Sequence, residues 1–173
     1  MVEPGNPRAS LPRRIHVTGN AGAGKTTLAA ALGKELGLPV RYLDSIVWQP
    51  GWRKTPADQR QPQEQAWCAE DAWIIEGVSP LVREQADRVL VLDTPPWHCL
   101  WRAGRRNLPY AFRSRPGLPP NCPEIKILPQ LLRIIARFGT TVRQEMLRES
   151  AASTKYRWLP ANTSATEAIQ RLP

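Results

Sequence analysis

Cysteine, histidine and phenylalanine are scarce in this 173-residue chain, with three, two and two copies respectively. Cys68, Cys99 and Cys122 are odd in number, widely spaced and form no CxxC pair, which argues against a disulfide framework or a zinc site. His16 and His98 are equally isolated, and His16 falls inside a predicted strand, where packing is the expected role. Long apolar runs are missing too, since nothing approaches the ~20 residues needed to cross a bilayer. Residues 1–13 (MVEPGNPRASLPR) have no apolar h-region, so they read as a flexible tail and not a signal peptide. The cytoplasm is therefore the expected compartment. The last shortage is acidic charge: 15 Asp and Glu stand against 24 Lys and Arg, a net charge of +9.

The charge is unevenly spread. Between Trp97 and Ser150 ten Lys and Arg face three Glu. A local field of that sign suits nucleotide phosphates, nucleic acid or another anionic surface, or else is the solvated face of basic helices. The 42% hydrophobic and 23% charged content is that of a globular protein. The length suits one domain, residues 14–173, with a monomer or homodimer expected.

Periodicity and turn residues divide the chain into alternating strands and helices. Strands are expected at Arg14–Thr18, Val40–Leu43, Trp73–Ile75, Arg88–Leu92 and Tyr156–Leu159. Helices are expected at Thr26–Leu36, stopped by Gly37, at about Ala57–Asp71, and at Ala165–Leu172. Strands apolar enough to be covered on both faces indicate a parallel sheet in an α/β fold. Ligands of such sheets bind beyond the carboxyl ends of the strands, where Asp44, Glu76 and Asp93 lie. Segment 94–150 differs. Trp97, Leu100, Trp101, Gly104 and Leu108 have helical spacing, which predicts that Trp97 and Trp101 pack in the core. Residues 108–124 read as an irregular loop, and beyond Pro129 a stripe from Leu131 to Met146 reads as an amphipathic helix. An Arg-bearing loop between two helices suits a mobile lid, an insertion around 102–150.

One motif carries specific chemistry. Gly19-Asn20-Ala21-Gly22-Ala23-Gly24-Lys25-Thr26 matches GxxxxGK[ST] between a predicted strand and a predicted helix. By composition alone the pattern arises in roughly one chain of this length in a couple of hundred. Its glycines let backbone N–H groups form a nest for phosphate oxygens, and the helix from Thr26 and Thr27 onward adds its orphan donors. Lys25 is expected to bridge the β- and γ-phosphates, and the Thr26 hydroxyl to ligate Mg²⁺. ATP with Mg²⁺ is the implied ligand; no NKxD-like tetrapeptide points to GTP.

Phosphoryl transfer also needs a carboxylate for the metal, cations over the moving group and a residue to orient the acceptor. Glu76, ending an apolar strand, is the candidate for the metal, with Asp93 as its rival unless Asp93 caps the next helix. Arg102, Arg105 and Arg106 are candidates for the transferring phosphoryl group, and Asp44 for orienting or deprotonating a hydroxyl. Trp48 and Trp52 are placed either to stack on an acceptor or to pack beneath their loop.

Taken together these residues resemble the adenylate-kinase-like P-loop kinases, and within them the DNA topology modulation (FlaR-related) proteins. Leu43–Trp52 (LDSIVWQPGW) resembles that group's "LDxxxxxPGW", Trp73–Gly77 its "WIIDG", and Arg115-Pro116 through Asn121–Glu124 its "RP…GCPE". The resemblance spans about Arg14 to Arg148. It implies a three-layer α/β/α P-loop fold with a five-stranded parallel sheet in the order 2-3-1-4-5, and an Arg-rich lid after the fourth strand. It places Glu76 at the usual magnesium-site Asp and Arg102, Arg105 and Arg106 at lid arginines. Asn162 and Thr163 fall where adenine rests, and Val78-Ser79 stand where classical nucleotide kinases carry a phosphate-gripping Pro-Arg, with Arg83 the nearest substitute. The expected activity is transfer of the ATP γ-phosphoryl group to a small molecule or nucleotide. The alternative is an ATP-binding regulator linked to nucleic acid.

Overall fold

A computed structural model describes residues 11–114 and 120–172 of the chain. In chain order the strands are β1 (Arg14–Gly19), β2 (Val40–Tyr42), β3 (Trp48–Gln49), β4 (Arg53–Lys54), β5 (Trp73–Glu76), β6 (Arg88–Asp93) and β7 (Tyr156–Pro160). The helices are α1 (Lys25–Leu36), α2 (Asp44–Val47), α3 (Ala57–Cys68), α4 (Pro80–Gln85), α5 (Pro96–Asn107), α6 (Glu124–Arg137), α7 (Arg143–Ala151) and α8 (Ala165–Gln170). The main sheet has the order β2-β5-β1-β6-β7, and every neighbouring pair is parallel. Counted over those five strands alone the order is 2-3-1-4-5. The other two, β3 and β4, form an antiparallel hairpin of their own.

Strict alternation along the central strands builds two cores. Ile74, Leu90 and Leu92 join Ile15, Val17, Leu28 and Leu32 on one face, under α1 and α8. Trp73, Ile75, Val89 and Val91 point the other way, onto Val82, Met146 and Tyr156. With both faces covered, each strand reads as a continuous apolar run, which is why the parallel class was visible in the sequence. No helix among the described residues is long and apolar enough to cross a membrane.

Several expectations change. Of the expected tail, residues 1–10 lie outside the described residues, whereas Leu11 packs on the core and the Arg13 carbonyl accepts from Trp73 N at 2.8 Å. Helix α3 ends at Cys68, not Asp71, and α2, α4 and the β3–β4 hairpin were not foreseen. They are two to six residues long, too short to show a period. Helix α6 begins at Glu124 and carries Pro129 within its second turn, and a five-residue π-helical stretch, Phe138–Val142, joins it to α7. Gly139, Thr140 and Thr141, all weak helix formers, occupy that stretch.

One correction concerns segment 94–150. Trp97 and Trp101 are not core residues: they are 63% and 60% exposed, together with Leu108 and Phe112. The inner face of α5 is taken instead by Cys99 and Ala103, small enough to let the helix lie against the phosphate loop. The second half of the segment contributes to both cores. Leu131 and Ile135 sit in one core, and Phe138 and Met146 in the other.

His16 lies at the centre of β1, fully buried, and donates from Nε2 to the Gly77 carbonyl at 3.0 Å. Burial, which strips hydration from the charged form, lowers its pKa from 6.5 to about 3, and the nearby cations Arg83, Lys155 and Lys25 act in the same direction. Because the folded value lies below the unfolded one, this stability is complete above pH 6.5 and is lost as the pH falls towards 3. At pH 5 the expected loss is about 2 kcal/mol. Urea titrations of the wild type at pH 8 and pH 5 should show that difference, and His16→Gln should remove most of it. An equal loss in both proteins would place the pH sensitivity elsewhere.

Candidate active site

The glycine loop turns between β1 and α1 at the carboxyl end of the sheet. Gly22 has φ +82°, and a Cβ there would stand 2.5 Å from the Cys99 carbonyl oxygen, so the loop is pressed against the first turn of α5. Gly24 takes the left-handed conformation as the N-cap of α1 and makes no side-chain cap, which leaves the first-turn N–H groups of Lys25, Thr26 and Thr27 to a ligand. Asn20 is outside the cleft lining and braces the loop. Its buried side chain accepts from Ala21 N at 2.8 Å and donates to the Ile135 carbonyl at 3.1 Å, tying the phosphate loop to α6.

Lys25 and Glu76 meet at the heart of this end. Lys25 Nζ donates to the Asn20 carbonyl at 3.0 Å and lies 3.7 Å from Glu76 Oε1. The Thr26 hydroxyl donates to Glu76 Oε2 at 3.4 Å. Glu76 reaches this position from the end of β5, whose neighbour in the sheet is β1, the strand that feeds the loop. Gly77 follows at φ +139°, where a Cβ would strike Leu43 at 2.8 Å. The pairing of strands thus brings together two residues 50 positions apart in the chain.

A single cleft of about 1160 Å³ runs over this group. It is lined by the loop from Gly22 to Thr27, by Gly19, Ala21, Asp44, Trp48 and Glu76, by Arg102 and Arg106, and by Asn162 and Thr163. Arg102 bridges the glycine loop and the segment after β7, donating to the Ala23 carbonyl at 3.3 Å and to the Asn162 side chain. Asn162 takes a left-handed turn (φ 68°) just after β7, and Thr163 Oγ1 bonds back to the Pro160 carbonyl at 2.8 Å. Asp44 opens α2 directly after β2.

Other candidates are placed elsewhere. Arg105 does not reach the cleft, because its guanidinium lies 5.5 Å over the Trp101 ring on the outer side of α5. Arg102 and Arg106, four apart, share the inner face, while Arg105 shares the outer one with Trp101. Asp93 is outside the cleft lining and does not cap a helix: Arg143 binds both its oxygens, at 2.9 and 2.8 Å, and Pro95 is the N-cap of α5. Arg83 is 2% exposed and committed to Glu145 and Glu149 on the opposite face of the sheet. Burial alone would raise the Glu149 pKa, but the Arg83 and Tyr156 hydrogen bonds outweigh it and hold the carboxyl below its usual range. Ser79 caps α4 and donates to Glu64 at 2.8 Å.

The hairpin and the loop before α6 also meet. Trp52 Nε1 donates to the Pro123 carbonyl at 2.9 Å, and the Cys122 thiol faces the Gln49 carbonyl at 3.6 Å. Trp52 is therefore committed to packing, edge-on to Trp48 at 5.4 Å, while Trp48 faces the cleft. Arg115 and Pro116 lie outside the described residues. Sequence reasoning missed Lys54, Arg60 and Arg137, which also line the cleft. Their spacing carries no motif, and only the folding of β4, α3 and α6 around the cleft reveals them.

Solved structures share this architecture, three kinases among them. A gluconokinase from Sinorhizobium meliloti 1021 superposes with a TM-score of 0.56 at 18% identity, covering 94% of this chain and 92% of its own. A shikimate kinase from Acinetobacter baumannii in complex with shikimate gives 0.55 at 22% identity, covering 92% and 89%. A deoxyadenosine kinase from M. mycoides with bound dATP gives 0.53 at 13% identity, covering 90% and 95%. The fold is that of small P-loop kinases. No protein-family model and no curated protein matches the sequence, so the likeness to the topology modulation proteins rests on the three stretches quoted above.

Oxygen donors of the type Mg²⁺ prefers are in place, since Thr26 Oγ1 and Glu76 Oε2 face each other beside the phosphate loop. Mg²⁺ commonly takes one or two protein oxygens and completes its shell with substrate phosphates and water, which fits a hydroxyl and one carboxylate.

Proposed function

We propose that the chain is a kinase that transfers the γ-phosphoryl group of ATP to a hydroxyl group of a small acceptor. The observation that carries this reading is the convergence, in one cleft, of the loop with Lys25, the Thr26–Glu76 pair and Asp44. The nucleotide lies with its phosphates on the loop and its base towards Asn162 and Thr163. Thr26 and Glu76 would hold Mg²⁺, which would supply neutralisation of the charge on the phosphate oxygens. Lys25, Arg102 and Arg106 stabilise the same charge from the protein side.

In the transfer step the acceptor oxygen forms a bond to the γ-phosphorus. The bond from that phosphorus to the β–γ bridging oxygen breaks, and ADP leaves with the electron pair. The hydroxyl proton passes to the Asp44 carboxylate, as in general-base catalysis. The hairpin carrying Trp48 and the loop carrying Cys122 close the acceptor side. These are also two of the stretches that resemble the topology modulation proteins, so a common acceptor chemistry with that group is part of the proposal.

The deciding experiment is Mg·ATP turnover against nucleosides, nucleoside monophosphates, neutral polyols and hydroxy acids, with a no-acceptor control and a DNA control. Acceptor-dependent ADP release with a phosphorylated product is expected. Release that ignores every acceptor but rises with DNA would replace the kinase by a nucleic-acid-linked ATPase. With the acceptor in hand, Asp44→Asn should lower kcat by about 10²–10⁴-fold with little change in the KM for ATP. An unchanged kcat would remove Asp44 from the proton transfer.

A further inference from the structure

The cleft carries more positive charge than its nucleotide requires. Among the described residues, Lys25, Lys54, Arg60, Arg102, Arg106 and Arg137 line it, against the carboxylates of Asp44 and Glu76. Mg·ATP brings about two net negative charges, which leaves a surplus of roughly the same size. The cations that bear this surplus are distinct from those around the phosphate loop. Lys54 comes from β4, Arg60 from α3 and Arg137 from the last turn of α6. Among the described residues, none of the three has a carboxylate within ion-pair distance.

Arg60 is the most telling of them. Its Nε is buried, yet it has no hydrogen-bond partner among the described residues. A buried guanidinium N–H left unpaired costs more than a paired one, and in this cleft a bound anion would supply the partner. Guanidinium is also the side chain best shaped for a carboxylate or phosphate, which it can grip through two parallel hydrogen bonds. Asp44 and Trp48 line the same cleft, and α2 packs on α3, so this cation borders the place assigned to the acceptor.

We propose that the acceptor is itself an anion, a hydroxyl compound bearing a carboxylate or a phosphate, and that Arg60 binds that group with Lys54 and Arg137 beside it. The inference rests on the kinase reading for the word acceptor, but the anion site has a test of its own. With the phosphate loop filled by Mg²⁺ and a non-hydrolysable ATP analogue, the intact protein is titrated calorimetrically with inorganic phosphate and, separately, with malate. One of the two should bind saturably at a single site, and which one does separates phosphate from carboxylate recognition. Arg60→Gln should weaken that binding at least about 10-fold. Lys54→Ala, on an exposed strand of the hairpin, should weaken it less and provides a variant that leaves the fold undisturbed.

In the turnover panel, phosphorylation should be confined to anionic acceptors, with Arg60→Gln raising the acceptor KM by at least about 10-fold and leaving the KM for ATP unchanged. Absence of anion binding, or binding that Arg60→Gln does not touch, overturns the inference while transfer to neutral hydroxyl compounds leaves the kinase reading standing. Arg60-dependent anion binding without transfer to any acceptor overturns the kinase reading and, with it, the acceptor assignment.

Discussion

Lys25→Ala is expected to lower kcat/KM for ATP turnover by roughly 10³-fold or more, with the fold retained. The reason is geometric. Lys25 is the first residue of α1, and its Nζ already lies over the loop, bonded to the Asn20 carbonyl and 3.7 Å from Glu76. A phosphate seated on the loop meets that ammonium without any rearrangement of backbone. Charge that builds on the γ-phosphoryl oxygens in the transition state then has a cation in a site largely withdrawn from water, where each interaction counts for more than at the surface. A 10³-fold loss is about 4 kcal/mol of transition-state stabilisation, within the range for removing one such group. Alanine leaves Glu76 without this partner, so a lower melting temperature is expected, and circular dichroism must establish that the protein remains folded. A folded Lys25→Ala protein that turns over ATP like the wild type would overturn the assignment of the cleft.

Glu76→Gln is the second large effect, with kcat expected to fall about 10²–10³-fold. Glutamine keeps the length and the acceptor oxygen that meets the Thr26 hydroxyl, so the change removes charge and little else. The signature of a metal carboxylate is a raised Mg²⁺ requirement: the half-saturating Mg²⁺ concentration should rise at least about 10-fold, in line with the loss of a ligating or orienting carboxylate, and excess Mg²⁺ should recover part of kcat. If Glu76 only holds Lys25 in place, the Mg²⁺ dependence will not move and the loss will appear in the KM for ATP. Titrating Mg²⁺ at saturating ATP in both proteins separates the two roles.

Part of this site was visible in the linear sequence because its chemistry is local. The loop from Gly19 to Thr27 needs a short strand, small residues that admit left-handed backbone and a helix start, and all three are contiguous. Glu76 was legible for a related reason: it ends an apolar run, and a run of that kind in a parallel sheet points its carboxyl end at the ligand. Arg105 was misplaced because its neighbours at 102 and 106 differ from it only by rotation about the helix axis. Which side of α5 faces inward depended on Cys99 and Ala103 fitting against the loop. Trp97 and Trp101 were misplaced with it, since helical spacing shows that they share a face but not which surface that face meets. The attachment of Asp93 to Arg143 and of Arg83 to Glu145 and Glu149 joins residues 50 or more positions apart, and no spacing rule reaches that far.

By itself the sequence determined the parallel α/β class, the strand order carried by the resemblance, the phosphate loop and the acid that faces it. These follow from backbone sterics, two-sided burial and the period of apolar residues, which act over a few neighbours. The tertiary structure alone decided which cations enter the cleft. Lys54, Arg60 and Arg137 come from a hairpin strand, a polar helix and the end of an amphipathic one, and nothing in their local surroundings marks them. They become a group only when β4, α3 and α6 are packed round one opening, because charges separated along the chain acquire a common field only through their positions in space.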